Sequence, residues 1–136
     1  MLFLSGNHIG TNGNADIINL KELQSVSVLD LSNNRISSDS NIEDVLTKMK
    51  SLKVLYLKDN AIAKEKDYRK KYVVLLPNLT YFDESPITSA ERRLSLAYFE
   101  GGREAEDEMR RLIKVEETQK KDAERRNFNR LFCESN

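Results

Sequence analysis

The chain has 136 residues, 39% of them hydrophobic, and its 22 Lys and Arg are matched by 22 Asp and Glu. That length holds one ordinary domain with an appended segment at most, and the even charge lacks the basic excess of a general nucleic-acid or acidic-membrane binder. One cysteine, Cys133, excludes an internal disulfide and a cysteine metal cluster; Met1 to Leu4 is too short for a signal peptide, and no run approaches the about 18 apolar residues of a membrane span, so a soluble intracellular protein is expected.

The first predicted element is a strand at 2–4, inside LFLSGNHI (2–9). A helix-like segment follows in ADIINLKELQSV (15–26), with Ile17 or Ile18, Leu20 and Leu23 as its apolar positions. The frame of the first strand then returns 27 residues later in VSVLDLSNNRI (26–36), predicting a strand at 28–31, and 26 residues after that in LKVLYLKDNAI (52–62), predicting one at 54–57. Leu29 falls on Leu55, Leu31 on Leu57, Asn34 on Asn60 and Ile36 on Ile62. A degraded fourth copy, LTYFDESPI (79–87), keeps Leu79 and Phe82 for a strand at 80–82 but carries Ile87 where the asparagine would fall. This is the leucine-rich repeat pattern L-x-x-L-x-L-x-x-N-x-L. The fold class it predicts is α/β: a right-handed solenoid with a short parallel sheet and convex helices, closed by a C-terminal capping helix and followed by an extended helical tail.

Between the strands lie two further helical segments. SNIEDVLTKMKSL (40–52) pairs Ser40 with Glu43 as a capping box and places Ile42, Val45, Leu46 and Met49 on one face. DYRKKYVVLLPNL (67–79) places Tyr68, Tyr72, Leu75 and Leu76 at helical spacing and stops at Pro77. The asparagines that recur in the frame, Asn7, Asn34 and Asn60, are expected to form a structural ladder. A chain that turns inward after each short strand leaves backbone groups unpaired, and a carboxamide both donates and accepts.

The repeats span 1–87, a cap helix 88–102 and a charged tail 103–136. In the cap, Thr88 stands three residues before Glu91 as a second capping box, Leu94, Ala97 and Tyr98 follow at helical spacing, and Gly101-Gly102 stops or bends the helix. No corresponding cap precedes the first strand, so an upstream repeat or another chain is expected to cover Leu2 and Leu4. The tail favours helix, carries a short stripe of Ala105, Met109, Leu112 and Ile113, and ends in Phe128, Leu131 and Phe132 at i, i+3 and i+4. These last three are candidate contacts for a partner helix or a second copy.

No catalytic constellation stands out. The one histidine, His8, has no neighbouring ligand set, and neither a nucleophile elbow nor a phosphate-cradling glycine loop is present, so no enzyme, cofactor or metal is expected. What remains is the concave face of the sheet. The residue between the two leucines of each L-x-L points away from the core, giving Phe3, Asp30, Tyr56 and Asp83. Beside them run Val28, Val54 and Tyr81, and then Ser5, Ser32, Lys58 and Ser85. Aromatic rings exposed beside acids suit a protein-contact surface.

Two segments carry a resemblance. NAIAKEKDYRKKYVVLLPNLTYFDESPI (60–87) resembles the closing motif of intracellular leucine-rich repeat proteins, with Ala61 in place of the usual turn proline. AYFEGGREAEDEMRR (97–111) and DVLTKMKSLKVLYLKDN (44–60) are similar to the dynein axonemal assembly factor 1 family, and the likeness runs over roughly 26–115. It implies a cytoplasmic scaffold, with the cilium or flagellum as the alternative location, that helps preassemble axonemal dynein arms by holding dynein subunits or co-chaperones. Neither nucleic acid nor membrane is then a direct partner, and self-association would run through the N-terminal sheet edge or the tail. The alternatives within the same fold are a spliceosomal subunit cradling an RNA-binding partner and a phosphatase regulatory subunit.

Overall fold

A computed structural model of the protein describes residues 1–11, 17–37 and 41–133. They divide into two compact units, Met1–Arg92 and Arg93–Asn136. The Ser40 half of the first expected capping box lies outside the described residues.

The first unit is built on one sheet. β1 (Leu2–Phe3), β2 (Val28–Asp30), β3 (Val54–Tyr56) and β4 (Tyr81–Phe82) pair in parallel in chain order. The register follows the leucine frame, Leu2 on Leu29, Leu29 on Leu55 and Leu55 on Phe82. Each strand is shorter than its repeat suggests. A fifth strand, β5 (Ser85–Pro86), pairs antiparallel with β4 and ends the sheet. The degraded repeat is therefore a hairpin. Asp83 and Glu84 form its two-residue loop with φ 44° and 71°, the left-handed pair that matches strand twist. Pro86, which cannot donate to a ladder, sits where a proline is tolerated, on the outermost strand.

One face of the sheet is sealed. Leu29, Leu31, Ile36, Leu55, Leu57, Ile62 and Phe82 are almost fully buried, and each such side chain contributes about 1.5–3 kcal/mol by leaving water. Against them pack α1 (Ile42–Lys48), through Ile42, Val45 and Leu46, and α2 (Tyr68–Leu75), through Tyr72. The first connection is a 3-10 turn, Ile18–Glu22; Ile17 and Leu20 are buried there, while Ile18 and Leu23 stay partly in water. Tyr72 stacks on Phe82 at 5.8 Å and meets Tyr68 edge-on at 5.4 Å. The Tyr72 hydroxyl is buried with no hydrogen-bond partner among the described residues, and burial, reinforced by Glu43 and Glu65, pushes its ionisation upward.

Asn34 and Asn60 form the rungs of the expected ladder. Asn34 Oδ1 accepts from the backbone N–H of Asn7 (2.9 Å) and Ile9 (3.0 Å), and Nδ2 donates to the carbonyls of Leu4, Leu31 and Ser32. Asn60 repeats this one turn on, accepting from Ile36 N and donating to the carbonyls of Leu31, Leu57 and Lys58. Asn33 beside it serves the backbone. Its φ is 55°, matched by Gly6 at 75° and Asp59 at 60° in the equivalent places, a conformation that Gly, Asn and Asp adopt most easily.

The second unit belongs to α3 (Ser89–Cys133), which is broken at Gly102. There φ is 75° and ψ −163°, a region essentially reserved for glycine. In one straight helix Arg93 and Glu116 would stand about 35 Å apart. Instead Arg93 Nη1 and Nη2 donate to the two Glu116 carboxylate oxygens at 2.6 and 3.1 Å, so the chain folds back at Gly102 into a helical hairpin. The Arg93 guanidinium holds the Glu116 carboxyl below its ordinary range. No helix among the described residues is long and apolar enough to cross a membrane.

Candidate functional site

The sheet face turned away from the core carries Phe3, Val28, Asp30, Val54, Tyr56 and Tyr81. Phe3 is 62% exposed and the others are half-buried. Strand register sets their neighbours: Phe3 stands beside Asp30, Asp30 beside Tyr56, Val28 beside Val54 and Val54 beside Tyr81. The Tyr56 and Tyr81 rings lie 6.1 Å apart and tilted by 55°, within the range of a favourable aromatic pair. The result is an aromatic and β-branched strip on a rigid parallel sheet. The acid in it is held in place: Asp30 Oδ1 accepts from Ser32 N (2.9 Å) and from Ser32 Oγ (2.6 Å). Ser32, expected to face outward, is consequently buried at 4% exposure.

Asp83 departs most from the sequence reading. It was expected to be an outward acid of the contact face, yet its carboxylate is tied into the end of the solenoid. Oδ1 accepts from Leu57 N at 2.7 Å and Lys58 N at 3.1 Å, and Oδ2 accepts from the Tyr68 hydroxyl at 2.6 Å. One repeat earlier the Leu31 amide is received by the carbonyl of Tyr56 on the next strand; here the chain turns at Asp83, so the Asp83 carboxylate takes the Leu57 and Lys58 amides, since buried donors must find an acceptor. Burial and the Asp83 bond together drive Tyr68 ionisation upward. Lys58 is an outward cation, but it is paired with Glu84 in the hairpin loop. Asn7 also departs from expectation: its side chain is exposed, with Nδ2 3.4 Å from Ser5 O. Each rung reaches back to the preceding turn, so the first turn receives the Asn34 rung rather than supplying one.

Two arginines complete the closure. Arg69 on α2 donates to Phe82 O at 2.7 Å, approaches Pro86 O at 3.3 Å, and forks onto Glu91 at 2.5 and 3.1 Å. Arg92 donates to Val73 O and Leu76 O, carbonyls at the end of α2 that helix geometry leaves open, and to Leu79 O on the way to β4. Thr88 Oγ1 accepts from Glu91 N at 3.1 Å, as a capping box requires, but the Glu91 carboxylate serves Arg69 instead of returning to Thr88. The Tyr68-Arg69 pair and Asp83 thus act as one lock. In the sequence, Tyr68, Arg69 and Asp83 all lie within the segment 60–87 that resembles a closing motif; what it did not carry was that the Asp points back at the strand amides.

In the second unit Phe128, Leu131 and Phe132 are 58–65% exposed, and the two phenylalanine rings lie 4.4 Å apart. Among the described residues no three His, Cys, Asp or Glu side chains gather as a metal site would need.

Comparison with known proteins agrees with this architecture. Residues 25–47 match the Leucine Rich Repeat family. The chain is 39% identical over 105 residues to the leucine-rich repeat-containing protein ODA7 of Chlamydomonas reinhardtii, covering 76% of this chain and 24% of that protein. It is 42% identical over 98 residues to dynein axonemal assembly factor 1 of Mus musculus, covering 71% and 15%. The Homo sapiens protein of that name is 37% identical over 106 residues, covering 77% and 14%. The chain therefore spans a quarter or less of the length of these relatives. Over about three-quarters of its length the chain is thus similar to leucine-rich repeat proteins that include the dynein axonemal assembly factor 1 proteins, in keeping with its repeat register.

Proposed function

We propose that this chain is the closing part of a non-enzymatic, protein-binding scaffold that acts in the cytoplasm in the preassembly of axonemal dynein arms. The names of its relatives support the process, and the open sheet face supports the mode. The observation that carries the mode is the Tyr56–Tyr81 pair, two half-buried rings whose removal opens no cavity in the core. Tyrosines held on a rigid surface lose little entropy on binding and are favoured as interface anchors. The client is a dynein subunit or a co-chaperone that lays an apolar segment along the strip, with no chemical turnover.

The test is a pull-down from the cytoplasm of ciliated cells with the wild-type chain, the pair Tyr56→Ala with Tyr81→Ala, and the pair Phe128→Ala with Phe132→Ala. Capture of dynein heavy chain or chaperone by the wild type, lost with the tyrosine pair and kept with the phenylalanine pair, supports the proposal. Loss only with the phenylalanine pair moves the function to the tail. Capture of spliceosomal proteins instead refutes the dynein assignment.

A further inference from the structure

We propose that Ser85 is a phosphorylation site for a proline-directed kinase, and that the phosphate acts by competing with Glu91 for Arg69. The sequence has two prolines, Pro77 after Leu76 and Pro86 after Ser85, so Ser85 is the one hydroxyl residue followed by proline. Its conformation fits a kinase groove. Ser85–Pro86 is already an extended strand at the outer edge of the sheet, with no strand beyond it among the described residues; Ser85 is half-buried and Pro86 exposed.

The surroundings give the phosphate a receiver. Arg69 Nη2 stands 3.5 Å from Ser85 O and 3.3 Å from Pro86 O, while its Nε and Nη2 hold the Glu91 carboxylate at 2.5 and 3.1 Å. In the transfer the side-chain Oγ of Ser85 bonds to the γ-phosphorus of a nucleoside triphosphate as the bond to the bridging oxygen breaks. The nucleoside diphosphate leaves, and the hydroxyl proton passes to the kinase base. The product carries close to two negative charges and three strong acceptor oxygens beside a guanidinium fork whose geometry suits phosphate. It also sits near Asp83, Glu84 and Glu91, so Arg69 is the favourable neighbour and Glu91 the competitor displaced. Without Arg69, the first turn of α3 loses the Glu91 tie to α2 and the hairpin, and is left with its Thr88 bonds, from Glu91 N and Arg92 N, and the Arg92 bonds to Val73 O, Leu76 O and Leu79 O. The modification therefore loosens the junction between the hairpin and α3. It does not depend on the client assignment above.

The experiment incubates the folded full chain and the peptide 79–92 with a proline-directed kinase and nucleoside triphosphate, then maps the product by mass spectrometry. The expected result is one phosphate per chain at Ser85, none in Ser85→Ala, and severalfold faster amide exchange at Glu91 and Arg92 in the phosphorylated chain. In Arg69→Gln the phosphate is still incorporated, but it leaves that exchange unchanged. Modification of the peptide but not the folded chain overturns the proposal, as does failure on both, or incorporation with no change in exchange at α3.

Discussion

Replacing Asn60 with Leu removes one rung of the ladder while keeping the volume of the side chain. The carboxamide is 3% exposed and bonds four backbone groups. Two of them have a second partner: Leu31 O keeps the Asn34 amide, and Lys58 O keeps Asn33 N. Ile36 N and Leu57 O lose the bond supplied by Asn60, and at about 1–3 kcal/mol per stranded buried group the expected cost is about 2–6 kcal/mol. Asn34→Leu strands Asn7 N, Ile9 N and Leu4 O, but these lie in the outermost turn, where water can replace the carboxamide, so about 1–2 kcal/mol is expected. Asn33→Ala tests the backbone role. The exposed side chain carries little energy, but alanine at φ 55° costs about 1 kcal/mol; Asn33→Gly should cost less. Urea melts with unchanged m-values give the three numbers. Asn60→Leu costing less than Asn34→Leu would refute the rung-by-rung reasoning.

Other outcomes follow from the same geometry. Tyr72→Phe removes a buried hydroxyl with no partner among the described residues and should leave stability unchanged or raise it by up to about 1 kcal/mol, whereas Tyr72→Ala should cost about 3–5 kcal/mol; thermal melts separate the two. Tyr68 and Tyr72 both ionise above the ordinary tyrosine value because of burial, Tyr68 also through Asp83. The unfolded chain therefore sheds protons that the folded chain keeps once pH passes about 10, so stability is fully present below that pH and falls above it. Melts from pH 8 to about 11.5 should show the fall, made shallower by Tyr68→Phe, and a flat profile would contradict it. Gly102→Ala forces a Cβ into a glycine-only conformation and should destabilise the helical hairpin by about 1–3 kcal/mol, read as faster amide exchange over 93–116 with the sheet unaffected.

The repeat was legible because a leucine column leaves little choice of register. A slip of one residue would turn Leu29, Leu55 and Phe82 from the core to water, and the observed pairings are the ones that prevent it. The helices were legible where apolar spacing was strong, at 42–49 and 68–76. The closing hairpin was not, because Asp83-Glu84 lacks the Asn or Gly that marks such turns and adopts φ of 44° and 71° only because β4, β5 and the Arg69 contacts hold it. Asp83 was misplaced for the same reason: alternation along a strand predicts the side on which a side chain starts, not the amides to which a short carboxylate then turns. The fold-back at Gly102 was half legible, since the glycines announced a break but only the Arg93–Glu116 pair gives its direction.

Hydroxyl-radical footprinting of the client-bound chain tests the open face most directly, because aromatic rings report their own contact with solvent. The expected result is protection of Phe3, Tyr56 and Tyr81 on binding, with Phe128 and Phe132 as reactive as in the free chain. Protection confined to Phe128 and Phe132, with Tyr56 and Tyr81 unchanged, would contradict the assignment of the sheet face as the working surface.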